Sequence, residues 1–273
     1  EGFFPVQRKI AAPWRDYDCV PDVVMLAADP VVTTVDFSEP MQVAQASVAD
    51  DADGVRQTTL LFPGGAGAQM LLPSGEVVAL DQMAVRSTEF TVGPLGGAAM
   101  PAELPRTTGY TWCAEFSVDE AVAADAQTVI FDEPVIQYLD NFLDVPVGVT
   151  VPVGFYQRSS SAWEAGPSGL VVEVVAESAG LAELDLDGDG VAADPAALAA
   201  LGVSDAERER VAELYEPGDT LWRVPLEHFT PCDLNFPWSL PDDADDPDDP
   251  VRDRDDRRRR RRPGSCSRRL CGS

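Results

Sequence analysis

Alternation of apolar and polar positions is the clearest pattern in this chain. Residues 149–156 and residues 110–118 each place every second side chain on an apolar face. A period of two residues is typical of a β-strand with one buried face. The apolar faces consist of Val149, Val151, Val153 and Phe155 in the first run, and of Tyr110, Trp112, Ala114, Phe116 and Val118 in the second.

Short apolar segments recur along the chain, separated by turn residues such as those at 63–65 and 73–75. Many short strands with Pro- and Gly-containing turns favour a β-sandwich. The predicted strands cover 23–26, a pair within 31–50, and then 56–62, 68–72, 76–80, 83–92, 110–118, 127–131, 134–139, 149–156, 169–176 and 220–226.

Helical signals are confined to 194–215. Asp194 before Pro195 predicts a helix N-terminus, and Gly202 marks the end of that helix. Ser204 with Glu207 forms a capping-box pattern for a second helix, which runs to about residue 215.

The predicted fold is therefore all-β, with two packed β-sandwich-like units, a small α-helical insert and a disordered charged C-terminal tail. We expect a lead-in segment over 1–30, a β-sandwich domain over 31–145, and a second β domain over 146–240 with the helical insert at 194–215. Residues 241–273 are acidic and then arginine-rich, with few apolar groups, so we expect them to be disordered.

Charge divides the chain in two. It carries 20 Lys+Arg and 47 Asp+Glu, of which 10 Arg and 3 Asp lie in 251–273, leaving residues 1–250 with a net charge of −34. Such a surface repels nucleic acid and anionic lipid, so we expect no nucleic-acid partner. Calcium binding, a saline habitat and an acid-biased genome remain open as explanations. The arginine run at 257–262 is interpreted as an out-of-frame product.

No stretch of eighteen apolar residues occurs, so we expect no membrane insertion. The first four residues resemble the interior of a longer chain, and we expect the sequence to be a fragment. The five cysteines match neither a disulfide framework nor a zinc site. One bridge among Cys19, Cys113 and Cys232 and buried thiols both stay open.

One motif carries metal-binding chemistry. Residues 185–190 read DLDGDG, with carboxylates at alternate positions and glycine sixth, as in loops that wrap Ca²⁺ in oxygen ligands. Position twelve is Ala196 rather than a bidentate glutamate, so a plain acidic turn is the alternative. The candidate ligands are Asp185, Asp187, Asp189, Val191 through its carbonyl, and Asp194.

Several longer strings resemble the segment that precedes the repeats of large bacterial Rhs (YD-repeat) proteins, over roughly residues 5–240. The order of strand motifs is more weakly similar to β domains of the zona-occludens/uncoordinated type. The strings are PWRDYD, RQTTLLFPGGAGAQMLLPSG, VRSTEFTVG, AAMPAELPRTTGYTWCAEFSVDEA, FDEPVIQYLDNFLDVPVGVTVPVGFYQRSSSAW and LWRVPLEHFTPCDLNFPW.

The resemblance implies a non-enzymatic adaptor N-terminal to an Rhs repeat shell, in a secreted or cell-surface bacterial toxin-type protein. Its partners would be that shell, in the same polypeptide if the reading frame continues, and a secretion or surface component. The residues expected to matter structurally are Trp112, Phe131, Pro134, Asn141, Phe142, Gly154, Trp163 and Trp222.

The similarity to zona-occludens/uncoordinated domains also implies a self-cleavage candidate at His228-Phe229-Thr230. Some such domains cleave themselves by an N-to-O acyl shift, with a hydroxyl as nucleophile and histidine as base. The family usually has serine where this chain has Thr230, and Pro231 follows it. The alternative is that His228 ends a strand and Phe229 packs in the core.

A third alternative is a stand-alone adhesion or carbohydrate-binding module. An exposed strip of aromatic side chains would then line a glycan groove. A Ser-His-Asp hydrolase is disfavoured because the chain has one histidine and no marked nucleophile. The aromatic candidates for the groove are Trp112, Tyr138, Phe142, Tyr156, Trp163 and Trp222.

Overall fold

The computed structural model describes residues 2–10, 14–15, 17, 19–20, 22–105 and 108–236. The tail expected to be disordered, 241–273, lies outside the described residues. Within them the protein is built from antiparallel strands with four short helices. The all-β prediction with small helical segments is thus confirmed.

Two large sheets form the body of the protein. The six-stranded sheet contains, in spatial order, β1 (Thr33–Asp36), β8 (Gln82–Glu89), β9 (Cys113–Val118), β17 (Cys232–Asp233), β12 (Gly154–Gln157) and β13 (Ala162–Ala165). The nine-stranded sheet runs β11 (Thr150–Val151), β14 (Gly169–Ser178), β16 (Thr220–Phe229), β10 (Thr128–Asp140), β5 (Thr58–Phe62) and β2 (Gln42–Gln45).

Smaller elements complete the chain. In the nine-stranded sheet β15 (Leu181–Asp185) pairs with β14, β6 (Ala68–Leu71) with β10, and β7 (Val77–Leu80) with β6. A separate hairpin consists of β3 (Ala49–Asp51) and β4 (Gly54–Arg56). The helices are α1 (Gly96–Ala99), α2 (Asp119–Ala123), α3 (Pro195–Ala200) and α4 (Asp205–Leu214).

The main core lies between the two sheets, as in a β-sandwich. Trp112, just before β9, and Phe116 of β9 enter it from one sheet, while Phe131 of β10 and Trp222 of β16 enter it from the other. Phe229 lies among three other phenylalanines, with ring centroids 4.7 Å from Phe131, 5.3 Å from Phe116 and 6.2 Å from Phe62. The end of β16 is therefore anchored in the centre of the core.

The helical insert covers the outer face of the nine-stranded sheet. Leu198 of α3 and Val211 of α4 pack with the outward side chains of β10, β14 and β16. A buried polar group fixes this layer: Tyr138 Oη donates to Glu207 at 2.6 Å, and Arg223 pairs with the same carboxylate at 2.6 Å. Such a pair is costly to break because one partner is left charged and buried.

The predicted helix caps are confirmed in α3 and α4. Asp194 Oδ1 accepts from Ala197 N at 2.8 Å, and Ser204 Oγ accepts from Glu207 N at 3.1 Å. The Glu207 side chain, however, forms the buried ion pair just described. The capping-box pattern therefore predicted the start of the helix correctly, but it did not predict that the Glu207 side chain pairs with Arg223.

The sheets do not divide at residue 145. Strands β10 and β16, from the two predicted domains, are paired over most of their length, and β9 pairs with β17. The described residues up to 236 form one compact unit. The predicted boundary fails because the strands that follow it return to pair with strands that precede it.

Several strand predictions need correction. Segments 127–131 and 134–139 are one strand, β10, with an irregular register between Ile130 and Val135. Segment 149–156 splits into β11 and β12, which belong to different sheets. Val151, Val153 and Phe155 of its predicted inward face are buried, whereas Val149 is exposed. Residues 23–26 form no strand; an isolated bridge joins Phe3 and Ala27. The sequence did not predict β13, β15, β17, α1 or α2.

The two buried cysteines lie on opposite faces of the six-stranded sheet. Cys232 belongs to the inter-sheet core, whereas Cys113 packs in the cluster on the outer face. Both are free thiols, and the sheet between their side chains prevents a bridge.

Candidate functional site

The predicted self-cleavage residues lie where the chain crosses between the two sheets. Strand β16 ends at Phe229, Thr230 and Pro231 form the crossing, and β17 begins at Cys232 in the other sheet. Phe229 and Thr230 are both buried. The 229–230 peptide bond is thus held between the phenylalanine core on one side and the six-stranded sheet on the other.

A hydroxyl and an imidazole lie close together at this crossing. His228 Nδ1 lies 3.4 Å from Thr230 Oγ1, and the imidazole packs against Phe155 with centroids 4.4 Å apart. Burial lowers the pKa of His228, against the opposing effect of Glu227 and Glu164. The imidazole is therefore neutral near pH 7. In the tautomer protonated at Nε2, it can accept the Thr230 hydroxyl proton.

The Phe229 carbonyl has a partner on the neighbouring strand. Thr128 Oγ1 lies 3.1 Å from Phe229 O, and the next residue, Val129, directly opposes Phe229 in the β10–β16 pair. A cavity of about 290 Å³ adjoins this point, lined in part by Thr128, Phe229 and the Glu115–Arg158 ion pair. Sequence reasoning missed Thr128, since 101 residues separate it from Phe229.

The acidic loop after β15 has a different character. Asp185 is fully buried, and its carboxylate accepts three backbone N–H groups, from Asp187 at 2.9 Å, Gly188 at 2.8 Å and Gly190 at 2.7 Å. Burial acts to raise the pKa of Asp185, but these hydrogen bonds outweigh it and the net shift is downward. The loop thus holds a carboxylate in its ionised form.

Three of the five candidate metal ligands come together in this loop. Carboxylate oxygens of Asp185, Asp187 and Asp189 lie within 4.8 Å of one another. Asp194 instead caps α3, and the Val191 amide donates to Asp189 Oδ1 at 2.8 Å.

Close backbone approach explains Gly188 within the loop and Gly148, which packs on the loop from outside it. A Cβ at Gly188 would lie 2.9 Å from the Val147 carbonyl oxygen, and one at Gly148 would lie 2.9 Å from Asp187 Cα. The loop therefore packs directly on the 147–148 turn, and both glycines are needed for that contact.

Most residues expected to matter structurally are interior. Asn141 Oδ1 accepts from Trp222 Nε1 at 2.7 Å at the corner after β10, and Phe142 stacks on Arg56 at 4.6 Å. A Cβ on Gly154 would lie 2.3 Å from Asp233 Oδ1. Pro134 is an exception, since it is exposed at the irregular part of β10.

The aromatic residues suggested for a glycan groove do not form an exposed strip. Trp112, Tyr138, Tyr156 and Trp222 are buried, while Phe142 and Trp163 are half-buried. Tyr156 and Trp163 pack on each other, with centroids 5.2 Å apart. These side chains serve packing.

Asp233, on β17, is a buried carboxylate that the sequence did not single out. Burial raises the pKa of Asp233 to about 6, and hydrogen bonds from Asn235 and Gly154 offset that rise only in part. A single aspartate in the string CDLN does not indicate from sequence that its carboxylate is buried.

No helix among the described residues is long and apolar enough to cross a membrane. Comparisons with protein-family models, with curated proteins and with solved structures returned no match.

Proposed function

We propose that this chain is a structural β-sandwich module that cuts its own backbone once, between Phe229 and Thr230. The observation that supports the proposal is the placement, at one crossing, of a buried hydroxyl, an imidazole 3.4 Å away and a Phe229 carbonyl that accepts a hydrogen bond. Each chain would react once, so the module is not a turnover enzyme.

The reaction is an N-to-O acyl shift followed by hydrolysis. Thr230 Oγ1 attacks the Phe229 carbonyl carbon while His228 removes the hydroxyl proton. The new C–O bond forms, the C–N bond breaks, and the proton passes to the Thr230 nitrogen as it leaves. Water then adds to the ester, which yields the Phe229 carboxylate and restores the Thr230 hydroxyl.

The two products would remain together after cleavage. Residues after Thr230 pair with β9 and β12 through β17. Asn235 Oδ1 also accepts from Thr111 N at 2.7 Å and from Trp112 N at 3.1 Å. Cleavage is therefore visible only after denaturation.

A denaturing gel of the purified chain and three variants tests this proposal. We expect two fragments from the wild type and from Thr230→Ser, and one uncut chain from Thr230→Ala. Thr150→Ala, at an exposed position on β11, serves as the control and should cleave normally. An uncut wild-type chain would refute the proposal.

The wider setting we propose is an adaptor ahead of an Rhs repeat shell, in a secreted or cell-surface bacterial protein. The resemblance of the strings between residues 5 and 240 supports this. Sequencing the gene beyond codon 240 tests it: Tyr-Asp repeats in frame support the adaptor, and an unrelated downstream frame removes the basis for it. Self-cleavage does not depend on the outcome.

We also propose Ca²⁺ as a ligand of the acidic loop. The support is the convergence of Asp185, Asp187 and Asp189, three oxygen donors of the kind that Ca²⁺ prefers. Of the remaining candidates, Val191 would contribute its carbonyl, and Asp194 is engaged in helix capping. A titration with Ca²⁺, described below, tests this assignment.

A further inference from the structure

The acyl shift creates negative charge on one atom, the carbonyl oxygen of Phe229. A donor already directed at that oxygen lowers the barrier most, because it needs no rearrangement as the charge forms. The described structure places the Thr128 hydroxyl at this position, 3.1 Å from Phe229 O. The distance lies within the range of ordinary hydrogen bonds to a carbonyl.

We propose that the Thr128 hydroxyl is the oxyanion donor for cleavage at Phe229–Thr230. This inference rests on the proposed self-cleavage and assigns it a third catalytic residue. Thr128 would donate to the carbonyl oxygen in the resting chain and more strongly to the tetrahedral intermediate.

Strand pairing explains why the donor is held in place. Thr128 is the first residue of β10, and its backbone pairs with Leu71 of β6 while Val129 opposes Phe229 of β16. Its hydroxyl lies closer to Phe229 O than to the carbonyl of Val129, at 3.1 Å against 3.4 Å. Of these two carbonyl acceptors, the one across the strand pair is thus the nearer.

The adjoining cavity accounts for the second half of the reaction. Thr128 and Phe229 both line it, and Gln127 and the half-buried Arg158 add polar groups to its wall. A space of about 290 Å³ accommodates water and small nucleophiles such as hydroxylamine. Water from this side can reach the ester once the C–N bond has broken.

Time-resolved intact-mass measurement on chain made by cell-free synthesis tests the role of Thr128. The variants are Thr128→Val, which keeps the shape and removes the hydroxyl, and Thr128→Ser, which keeps the donor. The matched control is Thr111→Val, because the Thr111 hydroxyl also donates to a backbone carbonyl, that of Leu234 at 2.8 Å. Melting temperatures of all the proteins are measured in parallel.

We expect Thr128→Val to slow cleavage by about 100-fold, as for loss of one oxyanion donor, with its melting temperature close to that of Thr111→Val. Thr128→Ser and Thr111→Val should cleave near the wild-type rate. Hydroxylamine should accelerate the wild type and leave Thr128→Val slow, because the shift that forms the ester is the impaired step.

Equal rates for the wild type and Thr128→Val would overturn the role of Thr128 and leave self-cleavage standing. An intact wild-type chain, with or without hydroxylamine, would overturn self-cleavage itself and the role of Thr128 with it. If Thr128→Val fails to fold, Thr128→Ser decides: the role requires it to cleave, and a folded but uncut serine variant contradicts it.

Discussion

The acidic loop at 185–190 and the sheet crossing at 228–235 each contain a buried aspartate, and the two behave in opposite ways. Asp185 has three backbone N–H donors within five residues, so its pKa falls despite burial. Asp233 has fewer donors, so burial dominates and its pKa rises to about 6. The balance between burial and local hydrogen bonding therefore decides which carboxylate has the lower pKa.

The same contrast holds for the chemistry of each region. The loop's donors and acceptors are close neighbours in sequence, and the motif describes them almost completely. At the crossing, Thr128 lies 101 residues from Phe229, and Thr111 lies 124 residues from Asn235. The loop is therefore a local structure, whereas the crossing depends on the whole fold.

The largest effect should appear at the crossing. We expect His228→Ala to slow cleavage by about 10²–10⁴-fold, as for loss of a general base. Because the pKa of His228 is lowered, the wild-type rate should rise with pH and level off by about pH 7. The pH–rate profile of cleavage, followed by intact mass, checks both points. An unchanged rate and profile in the variant would remove His228 from the mechanism.

The second prediction concerns Asp233. Since its folded pKa is raised, its ionised form destabilises the fold; stability is greatest below about pH 4 and is lost as the pH rises through about 6. Asp233→Asn should therefore stabilise the protein at pH 8 by roughly 2–3 kcal/mol and have little effect at pH 4. Urea unfolding at both pH values measures this, and equal effects at the two would contradict it.

The third prediction concerns Asp185, the buried aspartate of the acidic loop. Asp185→Ala should destabilise the protein at pH 7 by about 1.5–3 kcal/mol, because three N–H groups lose a charged acceptor. Its contribution is lost only as the pH falls through a folded pKa below 3.8. The matched control is Asp189→Ala, at an exposed position in the same loop. Equal losses for the two variants in urea unfolding would contradict this role for Asp185.

The smallest expected effect is that of Ca²⁺ on the loop. At ten times the dissociation constant, binding should stabilise the fold by about 1.4 kcal/mol, or roughly 3 °C in melting temperature. Asp187→Asn should reduce the rise in melting temperature caused by Ca²⁺, and Mg²⁺ should raise the melting temperature of the wild type by less than Ca²⁺ does. A melting temperature unmoved by millimolar Ca²⁺ would exclude the site.

Sequence patterns predicted those features whose partners are near in the chain. Spacing alone predicted the caps at Asp194 and Ser204, the turn at 185–190 and strand β9, although β9 begins at Cys113 rather than at residue 110. Within 149–156, the predicted burial of Val151, Val153 and Phe155 was correct, whereas Val149 is exposed. The alternation of apolar and polar residues did not predict that the chain changes sheets at Pro152. Side chains on the same face of the segment enter the one core from both sheets.

Long-range pairing accounts for the rest. The domain boundary at 145 was wrong because β16 returns to pair with β10, a choice that no local pattern encodes. Glu207 was assigned to a cap, yet the buried Arg223 on the sheet attracts its carboxylate. Thr128 is likewise an ordinary strand residue in sequence and becomes a candidate catalytic group only through its partner strand.

The most direct test of self-cleavage is the mass and N-terminal sequence of the denatured, freshly synthesised chain. We predict two species in equal amounts, one ending at Phe229 and the other beginning with Thr230-Pro231-Cys232. A single species with the mass of the uncut chain, unchanged on prolonged incubation at pH 7–8, would contradict the account.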